Sequence, residues 1–422
     1  MTLFRHTINK PLRSLYHKPS KSLSLKSTPP TYPLEEERNP HYNPKKYYPA
    51  RIGETIGNKY CIISKLGWGA NSTAWLAKDI SRWPWQSTKY VTLKITNSGE
   101  GEKKAAEDEL NISQHISRLR SEHEGRAYVR LVQDSFEVQG ILGDHLCLVF
   151  EPLREPLWVL GRRLGSTNGV SAQVLKAFLR VILTGLDFLH SECRIIHTDL
   201  KADNFLIGFE DATIIDKYAH HQEAHPAPHI LRNGRPIYES RNDFGPLKKG
   251  VGLLKISDFS AAVFGNVLTP HHHDIQPQPF CAPEVLLKAG WSYSADIWNL
   301  GTVLWELLAD ETLFDGLCEH RRKYSREVHV AQMIRLLGSP PSRFLDKCDP
   351  HIRNDLFSPQ GAFKFPGLIP SEEFNFSNMT PFLHGEDKRL FIGFVRRMLQ
   401  WKPESRSSAK ELYDDPWLCY EP

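Results

Sequence analysis

Nowhere does this 422-residue chain carry the roughly 18 consecutive apolar residues that a membrane-spanning helix needs, so no such span and no membrane partner is expected. Cysteine is sparse. Cys61, Cys147, Cys193, Cys281, Cys318, Cys348 and Cys419 stand singly and never as C-x-x-C, which argues against a zinc site or disulfide framework and suits a reducing compartment. Acidic residues are missing from the first 34 positions, which hold six Lys or Arg and several Ser. That composition fits a mitochondrial transit peptide or a disordered basic tail, and Pro11, Pro19, Pro29, Pro30 and Pro33 break any long amphipathic helix there. Over the whole chain the charges nearly cancel, to a net +4, so composition gives no case for binding nucleic acid. What is present, 40% hydrophobic and 24% charged residues, is ordinary globular material, enough for two cores.

After the tail, residues 35–59, with Pro40, Pro44 and Pro49 among Tyr42, Tyr47 and Tyr48, read as an extended arm on a domain surface. From Tyr60 the pattern is strand, loop, strand. Tyr60 to Leu66 and Thr73 to Lys78 flank Gly67-Trp68-Gly69-Ala70-Asn71-Ser72, a turn whose glycines let backbone N–H groups approach a phosphate. Tyr90 to Ile95 is a buried strand with Lys94 at its centre, where a lysine is costly unless paired. A helix near Lys104 to Ile116 follows, with Glu107, Asp108 and Glu109 as acidic candidates, and Leu110, Ile112 and Ile116 mark its buried side. Phe136 to Val138 and His145 to Phe150 add two strands, and a heavily apolar helix runs from about Ser171 to His190. An insert rich in His and Pro occupies 208–253. His271-His272-His273 is not expected to hold a metal, because consecutive residues do not readily converge on one ion.

The chemistry is concentrated in Arg194 to Ile207. Here His197-Thr198-Asp199 is followed by Lys201 and Asn204, an order that resembles the protein-kinase catalytic loop with Thr198 at the usual Arg. Lys255-Ile256-Ser257-Asp258-Phe259-Ser260 matches the D-F-G segment with Ser260 for its glycine, and Ala282-Pro283-Glu284 matches A-P-E. Asp296 opens an apolar helix that runs through Leu308. With Gly67, Gly69, Lys94 and Glu109, these landmarks occur in the required order, and the chain from about Tyr60 to Trp417 resembles a eukaryotic protein kinase.

The resemblance implies an α+β, bilobal kinase fold: a β-rich N-lobe and hinge over 60–153, and a mainly helical C-lobe over 154–422 that carries the insert. It implies ATP and Mg2+, with Asp199 as base, Lys201 as charge stabiliser, Lys94 on the α- and β-phosphates paired to Glu109, and Asn204 and Asp258 on the metal. Leu66, Gly67, Gly69, Ser72, Ala74, Phe150, Glu151 and Leu153 would complete the nucleotide site, Glu151 to Leu153 being the hinge for adenine and Phe150 its back wall. Asp296 would brace the catalytic loop, and Arg406 would pair with Glu284.

A narrower resemblance rests on Leu66-Gly67-Trp68-Gly69, Ser72-Thr73-x-Trp75-Leu76-Ala77, Thr198 and the insert. These look like the SR-protein kinases and their fungal relatives. This implies a monomeric serine/threonine kinase of protein substrates, Arg/Ser-rich splicing factors by family habit, in cytoplasm or nucleus, with mitochondrial import the alternative if the tail is a transit peptide. Without the H-R-D arginine, activity is expected not to require activation-loop phosphorylation. Three departures stand out. Ser260 stiffens its turn, Cys281 replaces an Arg before A-P-E, and acidic Asp310, Glu311 and Asp315 are followed by basic Arg321, Arg322, Lys323 and Arg326. The competing readings are a pseudokinase scaffold, motivated by Ser72 and Ser260, and a small-molecule kinase of similar fold.

Overall fold

The computed structural model describes residues 32–83, 85–163, 169–247, 250–318 and 323–421. The basic tail lies outside them except for residues 32–34, as do Arg321 and Arg322. The chain divides into two units. The first takes residues up to Ser117, Arg130–Glu155 and Gly208–Gly252, and the second Arg118–Val129, Pro156–Ile207 and Leu253–Pro422.

In the first unit, β-branched and aromatic residues recur through β1 (Thr55–Ile56), β2 (Tyr60–Trp68), β3 (Ser72–Asp79), β4 (Tyr90–Thr96), β5 (Val132–Gln139) and β6 (Asp144–Phe150). They form one six-stranded antiparallel sheet in the order β1-β2-β3-β4-β6-β5. Helix α1, Glu100–Arg118, buries Ala106, Glu109, Ile112 and Ile116. On the sheet, Leu146, Leu148 and Phe150 cluster with Ala106, and Leu110 packs against them.

The insert, expected within the C-lobe, belongs instead to this first unit. Its helix Ala212–Ala224 is amphipathic, and Ile214, Ile215, Tyr218 and Ala219 pack with Ile63, Leu76 and Tyr90 of the sheet. Those apolar side chains would otherwise face water, which is why the segment cannot stand apart as a loop. Its hairpin, His229–Arg232 with Arg235–Tyr238, turns at Asn233-Gly234, both in the left-handed region with φ 51° and 77°. The arm also departs from expectation. It contains two short 3-10 turns, Glu35–Arg38 and Pro44–Lys46, and it buries Glu36 and Tyr47.

The second unit is mainly helical. Helix α2 (Leu157–Arg163) precedes α3 (Ala172–Asp187), which is capped by the Ser171 hydroxyl and buries Leu175, Leu179, Ile182, Leu183 and Leu186. Helix α3 runs into a π turn, Phe188–Glu192, that delivers the chain to two short antiparallel pairs. These pair β7 (Ile195–Ile196) with β10 (Val263–Phe264), and β8 (Phe205–Ile207) with β9 (Leu254–Ile256). After α4 (Pro283–Leu286), helix α5 (Ser294–Ala309) is buried through fourteen of its residues, from Ala295 to Leu308, and forms the core. Helices α6 (Arg326–Leu337) and α7 (Gly385–Met398) complete the layer. Among the described residues no helix is long and apolar enough to cross a membrane.

One buried group in α6 makes stability depend on pH. His329 is fully buried, with Nδ1 2.9 Å from the Tyr324 hydroxyl, and burial pushes its pKa down from 6.5 to about 3. The unfolded chain takes up that proton below about pH 6.5 and the folded chain does not, so stability is lost as pH falls from about 6.5 towards 3. Between pH 7 and pH 5 we expect a loss of about 2 kcal/mol from this group. Unfolding transitions at both pH values check it: His329→Gln should show a shallower pH slope than the wild type, and equal slopes would rule the histidine out.

Candidate active site

In the first unit, Gly67, Ala74, Lys94 and Leu148 stand opposite one another across β2, β3, β4 and β6, and a row in register shares one face of the sheet. Lys94 Nζ donates to Glu109 Oε2 of α1 at 2.7 Å, and Glu109 is 1% exposed. The pair satisfies the requirement that a cation in this strand be compensated, and of the three acids Glu107, Asp108 and Glu109 it selects Glu109. Phe150 pairs with Thr92, two residues from Lys94, and so lies on the same face.

The glycine-rich turn between β2 and β3 is closed by the Gly69 amide donating to Ser72 O at 2.9 Å. A Cβ added at Gly67 or Gly69 would meet nothing within 4 Å. Neither glycine has a positive φ, so the protein's own packing and backbone do not demand glycine there. The space is available to a ligand. Leu66 and Ser72 flank it, both partly exposed. In the hinge, Leu153 is buried, and the Glu151 carbonyl accepts from Arg130 at 2.7 Å. Arg154, not singled out from the sequence, is held by both carboxylate oxygens of Glu210 at 2.9 Å and by the Gly245 carbonyl, which fastens the hinge to the insert.

In the second unit, the loop from His197 to Asn204 is suspended from α5. Asp296, fully buried, accepts from the His197 amide at 2.7 Å and the Thr198 amide at 2.8 Å, and Asn299 Oδ1 accepts from the Leu200 amide at 2.8 Å. Side chains one turn apart on one helix thus satisfy three loop amides that no strand partner satisfies. Thr198 needs such support. It is β-branched yet has φ 67°, a conformation that costs on the order of 1–3 kcal/mol. Its hydroxyl donates to Ala261 O at 2.8 Å, and the His197 ring lies 3.1 Å from Ser257 O and packs on Phe259. Two consecutive loop side chains therefore grip the segment that carries Asp258.

Lys201 Nζ donates to Asp199 Oδ2 at 2.6 Å. Burial alone would push the Lys201 pKa down, but the carboxylates of Asp199 and Asp258 overcome it and hold the ammonium above its ordinary value, so it stays charged. Asn204 Nδ2 donates to the Asp199 carbonyl at 2.9 Å, which fixes the amide and leaves Oδ1 as its acceptor end. Asp258 sits in the left-handed region, φ 68°, and the Ser260 hydroxyl donates to its Oδ1 at 2.8 Å. Ser260 thus sets the Asp258 rotamer, a task a glycine in that position cannot perform. Asn204 and Asp258 offer oxygen donors only, a set that fits Mg2+, which takes one or two protein oxygens and fills its octahedron from water and phosphate.

The description "protein kinase domain" fits residues 60–418 as a family model. The chain belongs to the protein kinase family. This kinase is 36% identical over 388 residues to a serine/threonine protein kinase of Aspergillus fumigatus, covering 91% of each chain. It is 30% identical over 412 residues to the serine/threonine-protein kinase SRPK of Physarum polycephalum, covering 92% of each. The crystal structure of a kinase domain superposes with TM-score 0.64 over 88% of this chain and 99% of its own, at 23% identity, which shows the kinase fold. Arg406 and Glu284 meet in that fold as a bidentate pair, 2.6 Å at each contact, both fully buried in their side chains.

Proposed function

We propose that this serine/threonine protein kinase transfers the γ-phosphate of ATP to serine or threonine of Arg/Ser-rich proteins and does so without phosphorylation of its own activation segment. The observation that carries the second half is the Thr198 hydroxyl on Ala261 O. Where an H-R-D arginine needs a phosphate to bridge it to the activation segment, Thr198 reaches that segment directly through a neutral hydrogen bond.

Each proposed role follows from local chemistry. Asp199, held by Lys201, is the base for the substrate hydroxyl, and Lys201, kept protonated, neutralises charge on the phosphoryl oxygens in transfer. Lys94, oriented by Glu109, is the cation for the nucleotide phosphates. Asn204 and Asp258 would hold Mg2+, which when bound supplies further neutralisation of phosphate charge. The complete set Lys94, Glu109, Asp199, Asn204 and Asp258 supports transfer over a scaffold role. The Arg/Ser preference is supported by the SRPK relative and by the narrower sequence resemblance. Asp310 and Glu311 are exposed acids suited to a basic peptide, whereas Asp315 is committed internally, accepting from the Leu317 amide and Gln332.

Enzyme produced in bacteria and treated with phosphatase is the test. Label from ATP should pass to an Arg/Ser peptide at a rate within about twofold of the untreated enzyme. A loss of tenfold or more on dephosphorylation would sink the proposal of intrinsic activity, and labelling of a generic basic protein in preference to the peptide would sink the substrate class.

A further inference from the structure

The carbonyl of Ala70, at the tip of the glycine-rich turn, accepts from three side-chain donors: Asn97 Nδ2 at 3.2 Å, Asn39 Nδ2 at 3.3 Å and the Tyr47 hydroxyl at 3.3 Å. Two of them belong to the N-terminal arm. The arm also touches the other two phosphate-holding elements. The Lys46 carbonyl accepts from the Ser98 amide at 2.8 Å, just beyond the strand of Lys94, and Lys46 Nζ pairs with Glu102 Oε1 at 2.9 Å. Glu102 precedes Glu109 by seven residues, about two helical turns, so both lie on one face of α1. Pinning Glu102 therefore fixes the rotation that aims Glu109 at Lys94.

The arm is itself locked down by the insert. Each of its three consecutive acids takes a partner there: Glu35 from Ser240, whose amide lies at 3.1 Å, Glu36 from Arg235 at 2.5 Å, and Glu37 from Arg232 at 3.4 Å. Glu36 is fully buried and also meets Lys65 of β2, which in turn donates to Tyr238 O at 3.1 Å. The Arg235 guanidinium lies 4.9 Å over the Tyr47 ring and donates to the Tyr42 hydroxyl at 3.3 Å. A carboxylate held between two buried cations breaks only at high cost, so the anchor stays closed while the weaker bonds at Ala70 do the positioning.

We propose that arm and insert together form one brace that positions the glycine-rich turn and α1 for nucleotide, with Asn39, Lys46 and Tyr47 as positioning residues. The proposal rests on the kinase reading above for the ligand it names. It assigns the arm a task in nucleotide affinity and leaves the transfer step to the residues of the catalytic loop.

The full chain carrying Asn39→Ala and Tyr47→Phe, and separately Lys46→Met, tests it. Both variants leave the buried anchor intact and remove only polar tips, and circular dichroism checks that they fold. Dissociation constants for a fluorescent ATP analogue are measured directly, beside KM for ATP and for an Arg/Ser peptide. Affinity for nucleotide should fall about five- to tenfold, with KM for peptide within twofold of wild type, and Lys46→Arg should restore what Lys46→Met loses. Folded variants that bind nucleotide within twofold of wild type would overturn the brace, as would losses shared equally by nucleotide and peptide. Wild type that binds nucleotide but labels no protein would instead overturn the kinase reading, while the binding data still decide the brace.

Discussion

Asp199→Asn should lower kcat by about 10²- to 10⁴-fold, with KM for ATP changed by less than about threefold. The substitution keeps the volume and a polar contact for Lys201, whose ammonium lies 2.6 Å from Oδ2, and it removes the one property at issue, the capacity to accept a proton. The Asp199 backbone is held independently, through Asn204 and through the α5 side chains that suspend its neighbours, so the loop keeps its shape. Radiolabel transfer to an Arg/Ser peptide measures it. A kcat within tenfold of wild type would mean that Asp199 is not the base.

Arg406→Met should cost about 3–5 kcal/mol of stability. Glu284 has no exposure to water and is held by both terminal nitrogens of Arg406, which also donate to Ser294 O and Gln400 O, and the guanidinium carbon lies 5.0 Å from the centre of the Trp298 ring. Removing the cation leaves a buried carboxylate unpaired and strips donors from two carbonyls. Urea unfolding checks the size of the loss. The double change Arg406→Met with Glu284→Leu should recover part of it, because two apolar groups in place of the pair avoid the stranded charge. If the double variant is no more stable than the single, the cost lies in the lost carbonyl contacts rather than in the orphaned acid.

Much of the candidate site was legible because its motifs are local in sequence. His197 to Asn204, Asp258 and Ala282 to Glu284 sit beside strand or helix signals that place them. Strand bounds agree within a few residues where the apolar run is nearly continuous, as in Tyr90–Thr96 and Asp144–Phe150, and fall short for β5, whose Val132–Gln139 is only partly buried. The contacts that sequence does not reveal are long-range. Lys65 poses the same question as Lys94, a lysine inside a buried strand, but its answer is Glu36, an acid in what reads as a proline-rich surface arm. Arg154 likewise finds Glu210 across the chain. The insert's allegiance could not be read from its position between catalytic loop and Asp258, since only the apolar face of Ala212–Ala224 against Ile63, Leu76 and Tyr90 decides which unit it joins.

The buried contact of Glu36 with Arg235 also imposes an order on the birth of the molecule. The residues that clasp the arm lie about two hundred positions downstream, as with Tyr42 and Arg235 at a separation of 193 and Glu35 and Ser240 at 205. During synthesis the sheet strands are all made before the hairpin that completes them, so the nascent first unit must wait, with Lys65 still lacking its full set of partners and Ile63 and Leu76 uncovered, until the ribosome has passed the middle of the chain. For that interval Ile63, Leu76 and Tyr90 are left as open apolar surface, the kind through which incompletely folded chains associate.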